Sequence, residues 1–398
     1  MKKIIVLLVL FGIILSVYLL VYLKPQPEQK TIKIVTSNPM RVMQAGHDIV
    51  NAVKLAMDEV NYSVAGYKIE LVVEDDGDEN GQWQTSIEED IARRAVVDPD
   101  VMVYLGTYNS GAAKISIPIT NQAGLVQISP VNTWPGLTQA GFLPGEPGIF
   151  YPTGVRTYFR VCPTDVVQGP AGAIWAKELG FKNIYIFDDG EAYGVGIADL
   201  FEEKAVELGL NVLGHESINT ENAKEKLNAI KDQNPDLIYF GGVTMNGVIP
   251  LVKGIKELGL DAKLMGPDGI MEQSFLELGG DATEGTYLTV MGVSPEELAQ
   301  LTERGKEFVE KYRAKYNKEP GPVSSFGYEA AKVVLLAIEI AGVKDRGKIL
   351  EEISKIKDYD GLFGTWGFDQ NGDTTLTLIS GNKVVNKGFV FEKVLSSG

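Results

Sequence analysis

Residues 101–129 read VMVYLGTYNSGAAKISIPITNQAGLVQIS, and the fold follows from this stretch. Val101 to Leu105 is an apolar run of strand length. Gly106 to Ser110 interrupts it, Gly111 to Ala123 is long enough for a helix, and Leu125 to Ser129 is a second apolar run. Strand, helix and strand in roughly 30 residues make a crossover unit, which implies parallel strands with helices on the sheet faces.

The same rhythm runs outward in both directions. Upstream, Ile32 to Val35 reads as a strand. Gln44 to Val60 reads as a helix, with Ile49, Val53, Ala56 or Met57, and Val60 at helical spacing. Ile69 to Val73 is a strand ending in Glu74, Asp75 and Asp76, and Thr85 to Ala95 a helix. Downstream, helices are expected over 168–179, 195–208, 223–233 and 247–258, and strands over 184–187, 210–213, 237–240 and 264–266. Between the two series lies an irregular Gly- and Pro-rich stretch, Asn132 to Arg156. Further breaks fall near Thr289 to Pro295 and Tyr359 to Asp373. Three junctions between two lobes make a three-strand hinge. The expected organisation is a leader of residues 1–30, one lobe of 31–160 plus 291–366, and a second of 161–290 plus 367–398.

The chain has 398 residues, 44% hydrophobic and 23% charged, enough for two lobes with real cores. A net charge of −16 repels phosphate backbones, which argues against a nucleic-acid partner. Lys2 and Lys3 precede an apolar run from Ile4 to Leu23, about 20 residues and so of bilayer-spanning length. No A-x-A cleavage pattern and no cysteine follow it, so the run is expected to be an uncleaved anchor rather than a cleaved signal or a lipoprotein site. Either reading puts the body outside the cytoplasm, at the cell surface or in a periplasm. The single cysteine, Cys162, permits no intrachain disulfide and is expected to be buried and structural. His47 and His215 lack metal-ligand spacing, so no metal is expected.

Catalytic patterns are missing. There is no P-loop and no nucleophile elbow. Gly194-Val-Gly196 starts like a dinucleotide fingerprint, but Asp199 stands where its third glycine belongs. The expectation is a binding protein without cofactor rather than an enzyme.

Four loops that follow expected strands carry the binding chemistry, because such loops face the crevice of α/β folds. Ser110 and the small residues after it suit a helix N-terminus, where free N–H groups attract a carboxylate, although a plain helix cap accounts for the loop equally well. Val131 offers a carbonyl and Thr133 a hydroxyl. Tyr193 stands just before a glycine-opened helix. Asp268 lies in a tight turn and suits an ammonium group. Anion-binding groups from one half and a carboxylate from the other match a zwitterion.

In this order the residues resemble the branched-chain amino-acid-binding proteins of ABC uptake systems. The resemblance is carried by Gln44-Ala-Gly-His-Asp48, Gly106-x-x-x-Ser110, Ile128-Ser-Pro-x-x-Thr133, Phe159-Arg-Val-x-Pro-Thr-Asp165-x-x-Gln168-Gly169, Tyr193-Gly-x-Gly196, Gly241-Gly242 and Gly266-Pro-Asp268-Gly269. It covers nearly all of the chain after Thr31. It implies the type I periplasmic-binding-protein fold, two Rossmann-like lobes with parallel-sheet cores and a ligand cleft between them. It further implies that Ser110 and Thr133 hold the ligand carboxylate, that Val131 and Asp268 receive its ammonium, and that Tyr193 closes over it. Asn109, Asn132 and Ala45 complete the candidate set. Ala45 stands where relatives that bind aliphatic amino acids often carry an aromatic, and Trp134 where a small residue or proline is common. The implied function is capture of an amino acid, branched-chain or otherwise aliphatic, by a monomer that delivers it to a membrane permease. A sensor domain of the same fold, or uptake of an amide, urea, nucleoside or aromatic acid, is the competing reading.

Overall fold

The structure is a computed structural model that describes Lys30 to Ser396 apart from Val42. The expected anchor, residues 4–23, lies outside the described residues. Among the described residues no helix is long and apolar enough to cross a membrane.

The first sheet contains β1 (Thr31–Ser37), β2 (Ser63–Val64), β3 (Tyr67–Glu74), β4 (Val101–Gly106), β5 (Val126–Ser129) and β6 (Tyr158–Arg160), in the order β2-β3-β1-β4-β5-β6. All its pairs are parallel except β2 with β3. Helices α1 (Gln44–Glu59), α2 (Thr85–Val97) and α3 (Ser110–Gln122) make the crossovers. Every residue of β4 and β5 is buried, as expected for strands covered on both faces.

After β6 the chain builds a second layer: α4 (Asp165–Glu178), β7 (Asn183–Asp188), α5 (Ala192–Glu207), β8 (Asn211–Ser217), α6 (Ala223–Ile230), β9 (Leu237–Gly241), α7 (Ile249–Glu257), β10 (Lys263–Gly266), α8 (Gln273–Gly279) and β11 (Tyr287–Met291). It then returns to the first sheet with α9 (Pro295–Leu301), α10 (Glu303–Tyr316), α11 (Ser324–Ala341) and α12 (Arg346–Ser354); α11 packs along α1. A small hairpin of β12 (Tyr359–Gly361) and β13 (Gly364–Trp366) leads back to β14 (Ile379–Val385) and β15 (Gly388–Leu395), which complete a second sheet ordered β15-β14-β11-β10-β9-β7-β8. The chain therefore passes between the two sheets three times.

Several elements differ from the sequence reading. The strand expected over 210–213 continues to Ser217, because β8 is an edge strand whose half-exposed side chains interrupt the apolar pattern. The break expected from Thr289 begins only after Met291, since Thr289 to Met291 pair with β14. The helix expected from Gly247 starts at Ile249; Gly247 has a φ of +111° and closes a tight turn first. The β14–β15 hairpin was not foreseen. Its turn residues, Asn386 and Lys387, both have positive φ, and a lysine hides the usual Asn-Gly signal.

The irregular stretch after β5 is an excursion with its own small core, in which Trp134, Leu137, Phe150 and Tyr151 pack on Ala113 and Ile117 of α3. Its base is fixed by Arg160, fully buried, which pairs with Asp373 at 2.6 Å and donates to the carbonyls of Asn132 and Trp134 at 2.9 and 2.8 Å. Asp373 also accepts from the Thr138 hydroxyl at 2.8 Å. A segment of the last crossing thus holds the loop of the first sheet.

Candidate functional site

Parallel strands put their C-terminal ends on one edge, and the edges of the two sheets face each other. The loops after β4, β5, β7, β9 and β10 converge there on a cavity of about 20 Å³ lined by Tyr108, Asn109, Ser110, Val131, Tyr193, Val243, Asp268 and Gly269. A larger groove of about 560 Å³, open to solvent, shares Tyr108 and Asp268 with it and runs past Ala45. Of the residues expected from sequence, Asn109, Ser110, Val131, Tyr193 and Asp268 meet in the small cavity and Ala45 lies on the groove.

Asn109, not Ser110, is the capping position of α3, and its side chain makes no cap bond. The helix ladder begins with Ala113 N–H donating to the Asn109 carbonyl, so the N–H groups before it lie outside the ladder at the positive end of the helix. The Ser110 hydroxyl accepts from Trp134 N–H at 3.3 Å. Asn132 lines neither cavity. Its amide donates to the carbonyls of Thr107 and Tyr108 at 2.9 Å each, and its oxygen accepts from the Tyr158 hydroxyl at 3.0 Å. It braces the two loops instead. Thr133 is buried with its hydroxyl lacking a partner of hydrogen-bonding geometry, as do both oxygens of the buried Asp165 carboxyl. Burial pushes Asp165 up to about 8, although the nearby Thr133 hydroxyl lowers it.

On the facing wall, Asp268 accepts at Oδ1 from Gln168 Nε2 at 2.6 Å and from the Tyr193 hydroxyl at 3.3 Å. Burial pushes it up to about 6 against those two donors. Tyr108 shares the groove lining with Asp268 and Glu272; burial, then Glu272 and Asp268, raise its hydroxyl. Tyr108, Val243, Gln168 and Glu272 were missed as site residues by sequence reasoning. Tyr108 and Gln168 lay within quoted motifs but carried no individual signal.

The walls touch directly. Gln82 Nε2 donates to Asn246 Oδ1 at 2.9 Å. The Trp134 ring lies against Gly196 of α5, where a β-carbon would come within 2.3 Å of it. Gly196 therefore serves contact with the facing wall, whereas Gly194 lets the helix approach Asp189 and the Gly241 carbonyl of its own lobe. Cys162 is fully buried, and burial pushes its thiol up. Away from the cleft, His215 meets more acidic groups than its sequence spacing suggested: it bonds Glu202 at 2.7 Å and Asp188 at 3.0 Å, with Asp199 nearby.

Two facing α/β layers, three connections and a cavity between strand ends define a two-lobed ligand-binding protein. The chain belongs to the periplasmic binding protein family, whose model matches residues 36–379. The family is one of extracytoplasmic solute-binding proteins. The leucine-, isoleucine-, valine-, threonine- and alanine-binding protein of Pseudomonas aeruginosa is 27% identical over 351 residues, covering 86% of this chain and 87% of its own. Among solved structures, the leucine-binding protein LivK of Thermotoga maritima is 30% identical with a TM-score of 0.80, covering 92% of this chain and 99% of that one. The branched-chain amino-acid transporter substrate-binding protein LivJ of Streptococcus pneumoniae, solved with isoleucine, shares the fold at a TM-score of 0.77 and 23% identity, covering 92% and 99%.

Proposed function

We propose that this chain captures an amino acid between its two lobes and presents it to an ABC permease without chemical change. The observation that carries the reading is the pairing of walls in one small cavity: a helix N-terminus with Ser110 on one side, the Asp268 carboxylate on the other. Amide N–H groups at α3 suit the ligand carboxylate, with the Thr133 hydroxyl close behind. Asp268, held by Gln168 and Tyr193, suits the ammonium together with the Val131 carbonyl. The side chain leaves the α-carbon among Tyr108, Val131 and Val243, which favours an aliphatic stem, in keeping with the leucine, isoleucine and valine bound by the relatives. The lobes that close are 31–160 with 291–366 and 161–290 with 367–398, and the chain acts as a monomer tethered by residues 1–30.

Closure is a hinge motion about the three connections, and a ligand that touches both walls shifts the population toward the closed form. The test is thermal unfolding of the full chain with each protein amino acid, and with amides, urea, nucleosides and aromatic acids. A ligand at 100 times its Kd adds about 2.7 kcal/mol to the folded state, so stabilisation by an amino acid recovered unchanged is the expected result. Stabilisation by another solute class alone refutes the zwitterion reading.

A further inference from the structure

The groove beyond the small cavity holds a carboxyl that the head of an amino acid does not use. Glu272, at the N-terminal boundary of α8, is 8% exposed and lines the groove with Ala45, Asp48 and Lys318. Its Oε2 accepts from the Ser274 hydroxyl at 3.3 Å. Its Oε1 is buried and has no hydrogen-bond partner. A buried acceptor left unmade costs on the order of 1–3 kcal/mol, more when charged, so the site is incomplete in the absence of a donor.

The neighbouring charges show what kind of donor is missing. Asp48 is 5% exposed but already engaged: its Oδ1 accepts from Lys318 Nζ at 2.6 Å and Gln44 Nε2 at 2.9 Å. The loop carrying Lys318 sits close over Asp48, because a β-carbon on Gly321 would lie 2.1 Å from Asp48 Oδ2. That pair is neutral overall. Glu272 has no cation of its own, and burial, with Asp48 adding to it, pushes its carboxyl up to about 7 against the nearby Thr244 and Ser274 hydroxyls. Tyr108 and Asp268 line both the small cavity and this groove, so the groove leads from the ammonium end to the wall that carries Glu272. Ala45 contributes only a methyl group to the groove lining.

We propose that Glu272 is a specificity-determining residue that receives a cationic group at the far end of the ligand side chain, so that the preferred ligand is a basic amino acid with an aliphatic stem. The inference rests on the amino-acid reading given above. The head binds between α3 and Asp268, the stem passes Tyr108, and the terminal ammonium or guanidinium donates to Glu272 Oε1.

Calorimetric titration of the full chain with L-arginine, L-lysine, L-ornithine, L-glutamine and L-leucine tests it. At least one basic amino acid binds more tightly than leucine and glutamine. Glu272→Leu then weakens that ligand on the order of 10- to 100-fold and narrows its margin over leucine, while Glu272→Gln, which keeps an acceptor without the charge, falls between. Thermal unfolding of the unliganded variants stays at or above wild type, because the unpaired carboxyl is gone. Leucine or glutamine binding most tightly to the wild-type chain overturns this inference and leaves the amino-acid reading standing. A basic ligand indifferent to Glu272→Leu overturns it as well. Failure of all five to bind removes the amino-acid reading for these ligands and this inference with it.

Discussion

On the first-lobe wall of the cleft, loops 106–110 and 129–134 carry no charged residue. The facing loops, 188–191 and 266–272, carry Asp188, Asp189, Glu191, Asp268 and Glu272. The two walls meet opposite electrostatic problems. An anion can be held by amide N–H groups, which any helix start supplies in neutral form and at little desolvation cost. A cation needs a carboxylate, and enclosing one is expensive. The cost shows in the carboxyls themselves: burial pushes Asp189 up to about 7, Asp268 to about 6 and Glu272 to about 7. Under the proposed function the neutral wall needs no partner, whereas Asp268 and Glu272 of the acidic wall are completed by the ligand; Asp189 is already held by Val243 N–H and Asn246.

The largest expected effect comes from loosening the neutral wall. Asp373→Ala leaves Arg160 charged and buried without its partner, at a cost of about 3–5 kcal/mol in unfolding free energy measured by denaturant titration. An unchanged midpoint would mean that the excursion after β5 holds itself together. Breaking the acidic wall acts on binding instead. Asp268→Ala is expected to cost roughly 2–5 kcal/mol in ligand affinity, read by calorimetry, with little loss of fold stability. Full affinity in that variant removes Asp268 from the site. Ser110→Ala is milder, about 1 kcal/mol of affinity, since the amides of α3 remain.

The smallest effect, pH dependence, sharpens the contrast. Asp165, Asp189, Glu88, Glu272 and Glu329 have folded values of about 7 or 8, and Asp268 of about 6, against about 4 unfolded. Between pH 4 and 8 the folded chain therefore holds more protons than the unfolded chain, and unliganded stability falls as pH rises through that window. Affinity for an ammonium moves the other way, rising as Asp268 ionises through about 6. Unfolding temperature and ligand affinity measured from pH 5 to 8 should move in opposite directions, the first falling and the second rising. Parallel profiles would show that the acidic wall does not receive the cation.

Much of this was legible in the sequence. Strand-length apolar runs and the loops after them located Ser110, Val131, Tyr193 and Asp268, because parallel strands must deliver their C-terminal ends to one edge. Glu272 was not legible. It follows a turn rather than a strand, and nothing local marks a carboxyl as buried without a partner. Asn132 looked like a ligand residue because of its loop, whereas its side chain is occupied in joining that loop to the one before it. The terminal hairpin escaped for a simpler reason, Lys387 in a position that glycine usually holds.

The contact of Trp134 with Gly196 has a further consequence. A tryptophan from one lobe rests on bare backbone of the other, while Trp175 and Trp366 are buried in their own cores. The fourth, Trp83, is half-buried against Gly111 of its own lobe. Parting the lobes moves the Trp134 indole from a dry surface into water and leaves the other three with their own-lobe neighbours. The molecule thus carries its own optical reporter of closure, and its emission colour records how far the clamp has opened.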